Sequence, residues 1–367
     1  MSTQIVPSAN IDNTAANALK PDFNIGKVSR FRRFIKAYGA SPTKFKIGLG
    51  IIIFFVLVSI IGPFVRPYNP NANLNNPIPN AAPSSNHLLG TDYQGEDVLS
   101  ELLVGTGPTI LLGLIVGTIS TLVSIIIGLL AGYYGGPADQ LISLFTNIIL
   151  IIPALPLLIV ILGLLQGQGG ILLMALVLSA LSWAWGAKAI RAQTLSLRNQ
   201  DFVSAARETG ESNFRIMVVE ILPRMVSLVA SSFIFTVLYA ITASVGLMYL
   251  GLGLGGAAST SLGGILFNAN NNDATLGGEI WEYMPPALIV AVFGMGLVLM
   301  NYGLDEIGNP RLKDANRLGK IGKKAMRPSD PTPVLTLSAT NGKRSFWSDI
   351  RSKDPLTLVK FPSDSKG

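Results

Sequence analysis

Four carboxylates, Asp92, Glu96, Asp97 and Glu101, crowd the segment "HLLGTDYQGEDVLSELLVGT". Side chains of this type at this spacing could serve general acid–base chemistry or ligate a hard metal ion. An active site also needs a nucleophile, base or metal group converging on one reacting atom. The sequence supplies no such partner, so the four read as a solvated loop or helix face. The lone His87 reads as a solvated loop residue as well, because a metal site needs several converging donors. With no cysteine in 367 residues, disulfides, thiol nucleophiles and zinc–thiolate sites are excluded. No G-x-x-x-x-G-K-[ST] phosphate loop occurs; "RLGKIGKKA" lacks the preceding strand, the glycine spacing and the final hydroxyl. The expectation is a chain that makes and breaks no bond, has no catalytic residue and binds no cofactor or metal.

The elements that must carry these residues are membrane helices. The chain is 49% apolar and 13% charged, with a mean hydropathy of +0.47, outside the range of ordinary soluble domains. Six segments reach the roughly 20 apolar residues that cross a bilayer: 47–65, 109–133, 141–165, 170–187, 225–253 and 284–304. None contains Asp, Glu, Lys, Arg or His. A proton relay through the spans is therefore disfavoured, although backbone carbonyls at a broken helix could still hold sodium. The first span is not read as a cleaved signal peptide, since 46 residues precede it and no small-residue cleavage pattern follows.

Eight Lys and Arg precede the first span, six lie in 188–224 and thirteen follow the last span, leaving only Arg66 on the other side. The positive-inside bias makes the shared side the cytoplasm, with both termini there in a multi-pass cell-membrane protein. The net charge of +7 is thus a topology signal. Nucleic-acid binding is not expected, because no stacking aromatics or recognition module accompany the charges.

Within 1–46, Phe31, Phe34 and Ile35 among basic residues suit either a short interfacial helix or a plain topogenic flank. The Pro/Asn-rich loop after the first span cannot form a regular element. A helix beginning near Val98 should lead into the second span, with Asp97 placed to cap it. "GGPAD" and "QGQGG" read as tight turns, and Gly113/Gly117 and Gly128/Gly132 as close packing between helices. The tail from 311 reads as disordered, near anionic headgroups.

The polar insert 188–224 interrupts the apolar pattern. Asp201 is read as an N-cap, 202–209 as a short helix, and Gly210 as its left-handed stop. A second helix from about Asn213 reaches "EILPRM", where Pro223 should halt or kink the chain. Ala205 and Ala206 are small enough for a partner's groove to approach the helix closely.

This insert resembles the "EAA" loop of ABC-importer permeases, E-A-A, three residues, G, nine residues, I-x-L-P. Ser204, Ala205 and Ala206 fill the first positions, Gly210 follows, and Leu222 and Pro223 fall at the required distance. Ser204 replaces the family glutamate. "DFVSAARETGESNFRIMVVEILP" is similar to the "YVxAARxxGxSxxxIxxxHxLP" of the dipeptide/oligopeptide branch. The outer segment resembles that branch's "HPLGTDxxGRDVxSRxLxGT": Gly90, Thr91, Asp92, Gly95, Asp97 and Ser100 are retained, and Glu96 and Glu101 replace arginines. "ITASVGLMYLGLG" resembles "ILxEASLSFLGLG", with Ser244 in place of glutamate, and "NYGLDEIGNPRLK" the closing "DxxxxPRLK".

The resemblance implies an all-α membrane protein of six transmembrane helices with the type I ABC-importer (MetI-like) permease fold and cytoplasmic coupling helices. Its parts would be a cytoplasmic segment 1–46, a first helix 47–65, an outer loop and amphipathic helix 66–108, a permease core 109–310 with the EAA loop at 188–224, and a basic tail 311–367. It further implies a homologous second permease, two cytoplasmic ATPase subunits that bind ATP and Mg, and an extracytoplasmic solute-binding protein. Coupling to the ATPases would rest on Asp201, Ser204, Ala205, Ala206, Gly210, Leu222 and Pro223. The implied cargo is di- or oligopeptide first, short oligosaccharide second and nickel third. A passive channel or scaffold is the alternative of a different class, and it leaves the insert unexplained.

Overall fold

The computed structural model describes residues 41–68, 78–165, 170–253, 255 and 259–308. The interfacial-helix reading of Phe31, Phe34 and Ile35, most of the Pro/Asn loop, most of "QGQGG", the "PRLK" segment and the tail lie outside them.

Among the described residues the chain is helical. It runs α1 (Thr43–Val65), α2 (Val98–Tyr134), α3 (Gly136–Ile151), α4 (Ala154–Leu164), α5 (Gly170–Leu197), α6 (Asp201–Glu208), α7 (Asn213–Tyr249), α8 (Leu262–Asn271), α9 (Ala274–Gly277) and α10 (Ile280–Gly308). Five helices are long and apolar enough to cross a membrane: α1, α2, α5, α7 and α10. The expected continuous span over 141–165 is instead a broken pair, α3 and α4, bent by 79°. Pro153 removes a backbone donor and biases the residue before it away from helix, and Ile152 accordingly takes ψ 125°.

The 37 residues of α2, about 55 Å long at 1.5 Å per residue, form the mast of the bundle. Its expected short entry helix and its span are one element, with Pro108 inside. Glycines set the packing distances. A Cβ on Gly113 would meet Ile241 Cγ1 of α7 at 2.5 Å, and one on Gly132 would meet Thr194 Cβ of α5 at 2.6 Å. On α1, a Cβ at Gly62 would stand 2.6 Å from the Leu103 carbonyl of α2, and one at Gly48 2.6 Å from the Gly296 carbonyl of α10. These are the close approaches that small residues give membrane helices.

Polar side chains between helices answer to backbone carbonyls, as hydrocarbon surroundings require. Ser124 Oγ donates to the Trp183 carbonyl at 2.6 Å, and Ser227 Oγ to the Leu304 carbonyl at 3.3 Å. The connection between α7 and α10 carries helical structure of its own. It contains α8, whose Leu262 N–H donates to Thr109 Oγ1 at 3.0 Å and so locks it against α2.

Candidate functional site

Two polar constructions occupy opposite ends of α2. At its C-terminal end, Gly135 (φ 67°) turns the chain and Arg198 donates to the Gly132 and Tyr133 carbonyls at 3.0 and 3.4 Å. Arg198 thereby satisfies acceptors that every helix end leaves open. Arg191 pairs with Asp139 in the first turn of α3. Lys188 to Leu197 continue α5 beyond its span, so the insert begins as a rigid extension of a membrane helix.

From there the chain turns into α6. Gln200 is the N-cap and Asp201 the first helical residue, without a side-chain cap bond, which corrects the expected cap at Asp201. Asp201 still lies where a negative charge suits the helix dipole. The stop at Gly210 is geometric: φ is 79°, Gly210 N–H donates to the Arg207 carbonyl at 3.0 Å and Glu211 N–H to the Ala206 carbonyl at 3.1 Å. This is the Schellman pair of bonds, and it needs a left-handed residue at that position. Ser212 then caps α7 by accepting from Arg215 N–H at 3.4 Å.

Of the two outcomes expected at Pro223, a halt or a kink, the chain does not take the halt. The helical run continues from Asn213 to Tyr249, with a π segment at Ile216–Ile221 and a 3₁₀ segment at Leu222–Met225. The wider turn and the tighter one absorb the missing N–H of Pro223.

The insert is fastened by its apolar face. Val203 is fully buried among Leu129, Tyr133, Ile190, Ile216 and Met225. Arg207 lies 5.2 Å from the Tyr133 ring centre, Tyr133 Oη donates to Asn213 Oδ1 at 2.9 Å, and Arg224 stacks 3.5 Å from the Phe202 ring centre. None of these three clamps is legible in the sequence, because each joins residues of different elements. Ser204, Ala205 and Gly210 are exposed, whereas Ala206 is half-buried and packs on the insert's own core. The two alanines therefore do not present one shared face outward. A Cβ on Gly210 would meet nothing within 4 Å. Leu222 is also half-buried and packed on that core, whereas Pro223 beside it is exposed in the 3₁₀ turn.

At the N-terminal end of α2, the retained outer residues build a tight turn. Gly90 (φ 77°) and Gly95 (φ 81°) allow a single antiparallel bridge between Thr91 and Asp97. A Cβ on Gly90 would stand 2.5 Å from the Ala81 carbonyl and 2.7 Å from Trp281. Thr91 Oγ1 accepts from Ala81 N–H at 2.8 Å and donates to the Ile78 carbonyl at 2.6 Å. Asp92 Oδ1 accepts from the N–H groups of Gln94 and Glu96 at 3.0 and 2.6 Å. Asp97 caps α2, its Oδ2 accepting from Ser100 N–H at 2.9 Å and Ser100 Oγ at 2.8 Å.

His87 Nδ1 lies 3.0 Å from Asp97 Oδ1 and its ring 4.9 Å from that of Tyr68. The solvated readings of His87 and of the four acids are thus corrected. His87 is half-buried, and Asp92 and Asp97 are buried with only 3% exposure each. Burial pushes the Asp92 carboxyl up against the lowering effect of the Glu96, Gln94 and Gly95 backbone. Glu96 is pushed up to about 7 by burial and the Asp92 charge. Glu282, just before the sixth span, was not singled out from the sequence. Its side chain is 1% exposed beside this turn.

Between these ends, Ile149 to Ala154 at the α3–α4 bend, Leu181, Ser182 and Trp185 of α5 and Phe235, Thr236 and Tyr239 of α7 line a cavity of about 430 Å³. Its walls are apolar and aromatic, with no charged side chain. Ser244, on the same helix, is buried and donates to the Ile241 carbonyl at 2.9 Å.

Residues 124–314 match the family described as binding-protein-dependent transport system inner membrane component. Residues 44–83 match the N-terminal TM domain of oligopeptide transport permease C. The chain belongs to this family of inner-membrane transport components, and it is a multi-pass permease subunit rather than an enzyme. It is 28% identical over 262 residues to the oligopeptide transport system permease protein OppC of Lactococcus lactis subsp. lactis, covering 71% of this chain and 88% of that one. It is 29% identical to the dipeptide transport system permease protein DppC of Bacillus subtilis (72% and 81% covered). The corresponding protein of Haemophilus influenzae is also 29% identical (73% and 90%). A chain of the inward-facing MetNI methionine ABC transporter superposes with a TM-score of 0.45 at 16% identity, over 56% of this chain and 93% of that one.

Proposed function

We propose that this chain is one of two permease subunits of an ATP-driven importer of di- or oligopeptides. The relatives named for peptide transport support the cargo. The observation that carries the coupling reading is the insert: α6 is rigidly joined to α5 and α7, its buried face is anchored by Val203, and its outer surface offers Ser204, Ala205 and Gly210. An ATPase seated there would move α5 and α7 together, and the cavity between α3, α5 and α7 would open and close as a result. The 188–224 insert would lie in the cytoplasm and the Gly90–Ser100 turn outside, facing a solute-binding protein. ATP and Mg would be bound by separate subunits, and a homologous permease would complete the pathway.

Short oligosaccharides are the second reading. The charge-free cavity walls with Trp185, Phe235 and Tyr239 favour it, because apolar and aromatic surfaces with a few hydroxyls suit a neutral ligand. Copurification and transport test both. Tagged protein extracted in mild detergent should bring down a Walker-type ATPase. In proteoliposomes with the cognate solute-binding protein, di- to pentapeptides should stimulate ATP hydrolysis and accumulate. Stimulation by oligosaccharides alone would replace the peptide reading, and absence of any ATPase would overturn the importer.

A further inference from the structure

The acids of the outer turn form a cluster that neither coupling nor the transport cavity uses. Asp92, Glu96 and Glu101 each place a carboxylate oxygen within 4.8 Å of the others. Behind them is Glu282 in the first turn of α10; both its oxygens are buried and make no hydrogen bond of ordinary geometry, with the Tyr93 backbone facing them. Trp281 Nε1, from the residue before Glu282, donates to the Thr91 carbonyl at 3.3 Å and so holds this end of α10 against the outer turn, where the Asp92 charge acts on Glu282. Among the described residues the ion pairs are His87–Asp97, Arg191–Asp139, Arg215–Glu211 and Arg224–Glu220, and none reaches these four acids. Buried carboxylates without counter-charge are strongly disfavoured, and neighbours of like charge add repulsion. A cation among them removes both penalties.

The donor set defines the cation. Beside the carboxylates, a cavity of about 160 Å³ is lined by Gln94, Glu96, Glu101, Ser259, Thr260 and Asn268, with Val104 closing one side. Oxygen donors without thiolate or imidazole select a hard ion over a transition metal. Calcium takes about six to eight oxygen ligands in flexible geometry and accepts several carboxylates, whereas magnesium keeps several waters and takes only one or two carboxylates. We propose that Asp92, Glu96 and Glu101 bind a calcium ion that ties the outer turn to the start of α2, with the buried carboxylate of Glu282 at the start of α10 behind it. The site does not depend on which cargo is carried. It would hold in one conformation the face on which a solute-binding protein is expected to dock.

The test uses the full-length protein in mild detergent, stripped with EDTA and dialysed against radioactive calcium, with Tm followed in parallel. The expected result is one ion per chain, with a dissociation constant on the order of 10⁻⁴ to 10⁻³ M, and a rise in Tm on saturation. Glu96→Gln and Glu101→Gln each weaken binding at least about tenfold, since affinity follows ligand charge. Glu220→Gln on the insert leaves it unchanged. Glu282→Gln risks misfolding, so Glu101→Arg is the second arm. Its guanidinium replaces the ion, and the variant in EDTA should match the Tm of calcium-loaded wild type and show no calcium response. Any of four results would overturn the site: no saturable calcium binding by wild type, tighter binding of magnesium, full binding by both Gln variants, or a wild-type calcium response in Glu101→Arg.

Discussion

Asp97 carries two loads with one carboxylate. Oδ2 caps α2 through Ser100, and Oδ1 faces His87. The cap was legible, because Asp before an apolar run of helical spacing satisfies an open backbone donor at the helix start. The pairing with His87 was not, since it depends on how the loop before Gly90 folds back. Asp97→Ala should therefore cost more than the roughly 1 kcal/mol of a lost cap, as it also strands a half-buried ring. Asp201→Ala, which removes no cap bond, is the control. Thermal unfolding in detergent should show a clearly lower Tm for Asp97→Ala and a nearly unchanged one for Asp201→Ala. Equal shifts would mean that the Asp97 contacts contribute nothing beyond helix-end charge.

Among the elements, α6 and its neighbours show where propensity rules hold and where packing overrides them. Gly210 was readable as a helix stop because few other residues accept a φ of 79° without strain. At Pro223 the chain neither stops nor stays regular: it passes through π and 3₁₀ turns that Ile216, Met217, Ile221 and Met225 stabilise in a shared core. That sorting of buried from exposed faces yields a paired prediction. Ala205→Arg, on the exposed face, should leave expression and Tm at wild-type levels yet abolish ATP-driven uptake by the assembled transporter. Val203→Asp, which buries a charge, should instead lower Tm and yield. Uptake at the wild-type rate in Ala205→Arg would remove this surface from the coupling path.

For the whole molecule, the bend at Ile152–Pro153 matters most, because it opens the wall of the 430 Å³ cavity. A chain without cysteine makes water access there directly measurable. Ser182→Cys lies on the cavity wall, while Ile126→Cys replaces an exposed apolar residue of α2 away from it. In the assembled transporter, Ser182→Cys should react with a water-soluble maleimide faster than Ile126→Cys, and its rate should change when ATP is bound without hydrolysis. Equal, nucleotide-independent rates would argue that the cavity is not on the transport path.

Composition and pattern alone determined that this is a helical membrane protein, where its apolar runs lie, and that the polar stretch between the fourth and fifth runs holds a short helix ending at Gly210. Those features follow from local quantities: the length of apolar runs, the placement of glycine and proline, and the charge between spans. Only the tertiary structure decided the rest. It broke the third span and carried α7 past Pro223. It turned Ala206 inward and Ala205 outward, and it brought Trp281 and Glu282 against the Thr91–Asp92 turn across nearly two hundred residues of chain. The physical reason is that burial and charge proximity are set by which helices pack together, and no local pattern in the sequence specifies the partner.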